Sequence, residues 1–355
     1  MDIVVVGAGA IGLASALALT RAGHQVTVLD PDPMHGASWT AAGMLAPVSE
    51  ASFGEAELTA LNLAAVAEFA SFANALNVEV RTEGTLVVAF NADDKAEVDR
   101  LSAYRESLGL ATTRLTGRAA RRLEPYLAGD IRAAVLAEGD LSVDNREYVT
   151  ALLAACSSAR VRFVASPAVS VGDGLVRAGS GAEYRCDVTV LCAGAMTATL
   201  TEVPVIPVKG QILRLAVPAR LGTVLSHTVR GLVQGREVYL VPRANGELVV
   251  GATSEQQGFD TTVTAGGVYE LLRNTYELLP ISSEFTFVEA RAGSRPGTPD
   301  NGPLLGLVRP GMVVATGHYR NGILLSALTA QAVTALVAGE DVRPEWKPFD
   351  VHRFG

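Results

Sequence analysis

Charge is scarce in this chain. Charged residues fill 19% of its 355 positions and aromatics 6%. Basic residues are the scarcer sign, 29 against 37 acidic ones, for a formal net charge of −8. Long-range attraction to a phosphate backbone is therefore excluded, and no nucleic-acid partner is expected. The low charge also excludes a charge-laced coiled coil, while an apolar content of 49% excludes a disordered chain. Cysteine is scarce as well. Cys156, Cys186 and Cys192 form no CxxC pair and no even framework, so neither a zinc site nor any other metal is expected. Small buried thiols in a reducing compartment fit better.

Long hydrophobic runs are also few. Ile3 to Leu19 is nearly all apolar, but Asp2 stands where a signal would carry basic residues, and Gly7, Gly9 and Gly12 break the run. It reads as strand, turn and helix rather than a membrane span. A cytoplasmic protein without membrane contact is expected.

What the chain has in quantity is glycine, 35 residues in clusters. The short β-branched segment Ile3–Val6 suits a buried parallel strand. GAGAIG follows at Gly7–Gly12, then a helix-forming stretch to Ala22, then a second strand, Gln25–Leu29, closing on Asp30. Strand, glycine turn, helix and carboxylate together form the dinucleotide fingerprint. Gly7 permits the tight turn, Gly9 lets backbone approach a pyrophosphate, and Gly12 lets the helix pack close. The helix N-terminus, at Ala10 and Ile11, offers N–H groups and positive dipole to the phosphates. Asp30 is placed to accept bonds from ribose hydroxyls, and its charge disfavours NADP.

Beyond Asp30 the small-residue stretch Gly36–Pro47 includes Ala41, Ala42, Gly43 and Met44, side chains that suit a flat ring and a pyrophosphate. Two later strands also run into glycine. Val188–Leu191 precedes Ala193 and Gly194, and Met312–Ala315 precedes Gly317 and Gly322. Glycine at several strand ends favours a long cofactor, FAD rather than NAD, lying across the crest of one sheet. A helix from near Gly322 to Val337 would aim its N-terminus at the flavin pyrimidine.

The rest alternates helices (Glu55–Leu76, Asp93–Leu108, Arg118–Glu124, Arg146–Ala155) with strands (Gly84–Ala89, Val208–Val217, Glu237–Pro242, Glu247–Gly251, Glu284–Ala290). No linker splits the chain, so two interleaved domains are expected. Residues 1–85, 142–206 and 292–355 are assigned to the cofactor, and 86–141 and 207–291 to the substrate.

Several motifs occur in order along nearly the whole chain: the N-terminal fingerprint, Thr40–Leu45 (TAAGML), Val238–Arg243 (VYLVPR), Val249–Thr253 (VVGAT), Ala292–Gly306 (AGSRPGTPDNGPLLG) and Gly317–Leu325 (GHYRNGILL). They resemble the D-amino-acid oxidase superfamily of FAD-dependent oxidoreductases, and within it the glycine oxidases of thiamine biosynthesis. The resemblance implies a Rossmann-like FAD domain interleaved with a substrate domain on a large mixed, mostly antiparallel sheet, α/β in class and α+β overall. It implies an oxidase of small amino acids that yields an imine, then 2-oxo acid, ammonia and hydrogen peroxide, with the glycine imine feeding thiazole synthesis. Arg295 would grip the substrate carboxylate, Tyr239 would lie in the pocket, and Arg320 would stand near substrate and flavin. Gly317, His318, Asn321, Gly322 and Ile323 join Arg320 at the cofactor. No cysteine lies near the RPGT motif, so the FAD is expected to be non-covalent. The family often forms homo-oligomers, and one is expected here.

Glu237 and Ser254 depart from the glycine oxidase pattern, which has His and Met there, at positions that help choose the substrate. Lys209 reads as a solvated strand end, and His318 as a structural hydrogen-bonding group. The reaction asks for alignment more than acid–base machinery, and no His, Cys or Ser reads as base or nucleophile. With the protein net negative, a local cation must bind the anionic substrate, and Arg offers a bidentate grip. Two alternatives stay open: a D-amino-acid dehydrogenase feeding a quinone, and a non-catalytic flavin-binding module.

Overall fold

Apolar, mostly β-branched residues buried on both faces form the first strand, Asp2–Val6. The structure is a computed structural model that describes every residue except Gln234. In it, this strand lies inside a six-stranded sheet. The order is Leu304–Arg309, Met312–Thr316, Val188–Leu191, Asp2–Val6, Gln25–Leu29, Arg162–Val164. Neighbours run parallel except for the first two. Register aligns Val6 with both Leu29 and Leu191, so three strand ends reach one crest together.

One face of this sheet carries the helices Ala10–Arg21, Asn145–Ser158, Ser326–Ala338 and Ala56–Ala75, joined through Leu13, Leu17, Phe69, Tyr148 and Leu328. The helix Ala56–Ala75 is long and apolar enough to cross a membrane by length and composition. It carries Glu57 and Glu68, however, and buries Leu58, Leu61, Ala65, Phe69 and Ala73. On the other face, Val176 and Ala178 of a small antiparallel sheet pack against Val4, Val6 and Leu191.

The second large sheet has eight strands. Their order is Thr286–Gly297, Ile206–Ala216, Glu247–Gly251, Arg236–Pro242, Thr228–Val233, Thr85–Ala89, Ala133–Ala137, Thr113–Thr116. Only Thr228–Val233 and Thr85–Ala89 pair parallel, which makes the sheet mixed and mostly antiparallel. Leu271 and Leu278 of the helix Ala265–Leu278 pack into its core with Leu213, Val229 and Leu240. The fold class read from the motifs is the one observed.

Two element boundaries differ from the reading by four residues or more. The strand expected to stop at Ala290 runs on to Gly297, through the RPG segment. It is an edge strand, where proline removes no ladder bond that matters. The last long helix starts at Ser326, not near Gly322. A turn precedes it, in which Leu325 N–H donates to the Asn321 carbonyl at 2.9 Å.

Candidate active site

The crest of the first sheet is built by close backbone approach. Gly7 has φ +102°, and a Cβ there would lie 2.4 Å from the Cys192 carbonyl oxygen. A Cβ on Gly12 would lie 1.9 Å from the Gly7 carbonyl oxygen, so the helix seats directly on the turn. Gly9 is that helix's N-cap and brings no side chain, and no acidic residue occupies the first turn. The Asp30 carboxylate accepts from Ala8 N–H at 2.7 Å and Asp32 N–H at 2.8 Å. Burial pushes this carboxyl up, against the pull of those two bonds. Ser38, which the sequence reading passed over, accepts from Ala10 N–H at 3.0 Å. A helix N-terminus ringed by glycine and small polar groups fits a pyrophosphate.

Beside this crest lies a cavity of about 560 Å³ between the two sheets. Ala41, Ala42, Gly43 and Met44 line one wall, Tyr239 and Arg295 another, and Arg320 and Ile323 a third. The structure thus gathers these sequence-predicted residues into one space. Gly7, Gly9, Ala10, Ile11, Gly12 and Asp30 stand at the crest, outside its lining.

Other predicted residues lie outside the cavity lining. Gly194 has φ +55°, and its carbonyl accepts from the Thr316 hydroxyl at 3.1 Å. Its neighbour Ala193 adjoins Gly7. A Cβ on Gly317 would lie 2.6 Å from the Thr298 methyl. His318 is buried, 3.0 Å from the Thr329 hydroxyl and edge-on to Trp346, and burial pushes its imidazole down to about 3. Asn321 is buried, and a Cβ on Gly322 would lie 3.7 Å from the His318 Cβ.

Arg295 sits on the edge strand opposite Val208. Its Nη1 donates to the Thr253 carbonyl at 3.2 Å. Among the described residues it has no carboxylate partner within 4.0 Å, although most arginines around it do. Tyr239 is half-buried. Burial pushes its hydroxyl up, and Arg295 and Arg320 pull the other way. Two glycines unread in the sequence make room for these side chains. A Cβ on Gly210 would stand 2.4 Å from both Arg295 terminal nitrogens, and one on Gly251 would stand 2.4 Å from the Tyr239 hydroxyl.

An ion-pair chain runs along the rim. Arg230 meets Glu50 at 3.1 Å and Glu237 at 3.8 Å, and Glu237 meets Arg320 at 3.9 Å. Burial works against the Arg320 charge, but Glu50, Tyr319 and Glu237 outweigh it and hold that guanidinium above its ordinary value. The two positions that depart from the glycine oxidase pattern, Glu237 and Ser254, both line the cavity.

Lys209 corrects an expectation. It is 1% exposed, not a solvated strand end, with its Nζ 2.9 Å from Asp260 and 3.9 Å from Glu255. Cys156, Cys186 and Cys192 are free thiols, and none lines the cavity.

The family described as FAD dependent oxidoreductase matches residues 2–336. A bifunctional protein ThiO/ThiG of Synechocystis is 34% identical over 99% of this chain, and the chain spans about half, 54%, of that longer protein. A glycine oxidase of Geobacillus kaustophilus is 31% identical, covering 99% of this chain and 97% of its own. The crystal structure of glycine oxidase from that organism superposes with TM-score 0.92 at 30% identity, over 99% of this chain and 98% of the other. Fingerprint, crest and sheet topology thus converge with these matches: the chain belongs to the FAD dependent oxidoreductase family.

Proposed function

We propose that this protein oxidises glycine, or another small amino acid of that size, and supplies the glycine imine used in thiamine biosynthesis. The observation that carries the reading is Arg295, a cation without a carboxylate partner that faces a cavity walled by small residues. The chemistry of the crest fits FAD. Gly7–Gly12, Ser38 and Asp30 would hold its pyrophosphate and ribose, and Ala41–Met44 with Arg320 and Ile323 would line its ring. Bound there, FAD supplies the two-electron acceptor.

The chain's own groups do the rest. Arg295 takes the substrate carboxylate in a two-pronged grip. Tyr239, braced across Gly251, limits the space around the substrate Cα. Arg320 stays charged beside Glu237 and Glu50 and sets the field at the open side. Fixing the carboxylate at one end aligns the Cα–H bond, and alignment of this kind lowers the barrier most. The amine becomes an imine. Water converts it to 2-oxo acid and ammonia, and oxygen takes up the two electrons as hydrogen peroxide. We further propose the interleaved division into cofactor and substrate domains, a non-covalent FAD, a homo-oligomeric assembly and a cytoplasmic location.

The test is anaerobic mixing of the yellow protein with glycine, sarcosine, D-alanine and D-proline. Glycine or sarcosine bleaches the flavin fastest if the reading holds. No bleaching by any amine refutes it. An oxygen electrode separates an oxidase from a quinone-linked dehydrogenase, which consumes no oxygen.

A further inference from the structure

Behind the Ala42–Gly43 wall lies a buried polar cluster that the proposed chemistry does not use. Arg214 comes from the strand Ile206–Ala216, and Arg243 stands just past the strand Arg236–Pro242. They are 2% and 6% exposed. Arg214 is paired with Glu247, and the Arg243 Nε lies 3.6 Å from the Asp144 carboxylate. Both arginines also donate to one acceptor, the Asn145 Oδ1, at 3.1 and 3.2 Å.

Asn145 is fully buried and opens the helix over the first sheet. Its amide nitrogen donates to the carbonyls of Ser38 and Trp39, each at 2.9 Å. Arg243 Nη2 donates to the Ala42 carbonyl at 2.5 Å. Gly43 is shut in between. A Cβ there would lie 2.0 Å from the Val143 carbonyl oxygen and 3.2 Å from Arg243 Nη2.

Small residues give the 41–43 stretch no side chains with which to hold itself, and glycine leaves its backbone loose. Buried carbonyls need partners, and here those partners are side chains from distant elements. Two buried guanidiniums are an expensive way to fill a core, which apolar residues would fill as well. Among the described residues, Arg243 even leaves Nε and Nη1 without hydrogen-bond partners. Arg243 places the Ala42 carbonyl directly, and the Asn145 that both arginines hold places those of Ser38 and Trp39, which accounts for the pair where filling space does not.

We propose that Asn145 and Arg243 are positioning residues for the cofactor: they fix the Ser38–Met44 segment from behind and make the second sheet a working part of the FAD site. This rests on the reading that Ala41–Met44 lines the flavin.

The test uses full-length protein loaded with FAD, in the variants Arg243→Met, Arg243→Lys and Asn145→Asp. Asn145→Asp keeps an acceptor for both arginines and loses both amide donors. The readouts are FAD dissociation constant, shape of the visible flavin bands, and Tm. Arg243→Met and Asn145→Asp should each weaken FAD at least tenfold and alter the bands. Arg243→Lys, which can still donate to Ala42, should recover most of the affinity. FAD affinity within twofold of the parent, with unchanged bands, in both Arg243→Met and Asn145→Asp overturns the proposal. So does a lowered Tm with an unchanged flavin spectrum, which marks a structural role only. Should Arg243→Met fail to fold, Asn145→Asp decides by the same criteria. A parent protein that binds FAD but oxidises no amine sinks the glycine reading and leaves this one standing.

Discussion

Gly210→Ala separates folding from function in this structure. The added methyl carbon would lie 2.4 Å from both terminal nitrogens of Arg295, where ordinary contact begins near 3.4 Å. The guanidinium must therefore retreat by about 1 Å. Folding tolerates this, because the displaced atoms are the far end of a flexible side chain. Alanine also gains on glycine by about 0.5–1 kcal/mol in a regular element, so Tm should move by no more than about 4 °C. On the proposed role of Arg295, catalysis should not tolerate it. A misplacement of about 1 Å costs roughly 10²-fold in rate, or about 2.7 kcal/mol. The assay is kcat/KM for glycine in air-saturated buffer, with FAD binding and Tm measured on the same preparation. Expected are parental FAD affinity, near-parental Tm and a kcat/KM lower by about two orders of magnitude. Parental kcat/KM in a folded, flavin-loaded variant would refute both the role of Arg295 and the reason for glycine at position 210.

Arg295→Ala should lose roughly 2–4 kcal/mol of transition-state binding, through the charge-assisted bonds and the lost alignment. Tyr239→Phe should be milder, because the ring keeps its packing, and steady-state kinetics of both variants rank the two groups. His318 makes stability depend on pH. Its imidazole sits near 3 in the folded chain against 6.5 unfolded, so below pH 6.5 the unfolded chain binds the extra proton. The stability that its burial leaves intact above 6.5 is therefore lost as pH falls toward 3. His318→Gln should show a smaller fall in Tm on acidification than the parent. Burial pushes the Cys156 and Cys192 thiols up to about 12, so thiol titration of the native protein should find only Cys186, and all three after denaturation.

The opening βαβ unit was legible because every cue was local. Its strand period, glycine spacing and closing Asp30 lie within thirty residues, and the observed strand Gln25–Leu29 has the bounds read from sequence. The strand Val188–Leu191 was legible for the same reason. The run from Ala290 to Gly297 was not. Gly293, Pro296 and Gly297 look like a loop, but in an edge strand paired on one side they stay extended. Lys209 read as solvated because its partner, Asp260, lies 51 positions away. Ser38, Asn145, Gly210 and Gly251 escaped notice on the same ground, since each acquires its meaning from a group that folding brings near. The motifs carried Arg295, Tyr239 and Arg320 to one cavity, while the supports behind those side chains belong to tertiary structure.

The first sheet also sets a timetable for the chain's synthesis. Two of its six strands come from residues 2–29, and the two that complete it come only at 304–316. At about 5–20 residues per second, the ribosome needs roughly 14–55 s to make the intervening stretch. For that time the strand Asp2–Val6 has apolar faces and no finished sheet, a state that invites chaperone binding. The groups beside Gly7 are in place once Cys192 has been made, but the sheet that carries them is finished only at residue 316. A nascent chain stalled between those points would carry the complete glycine fingerprint on an unfinished sheet.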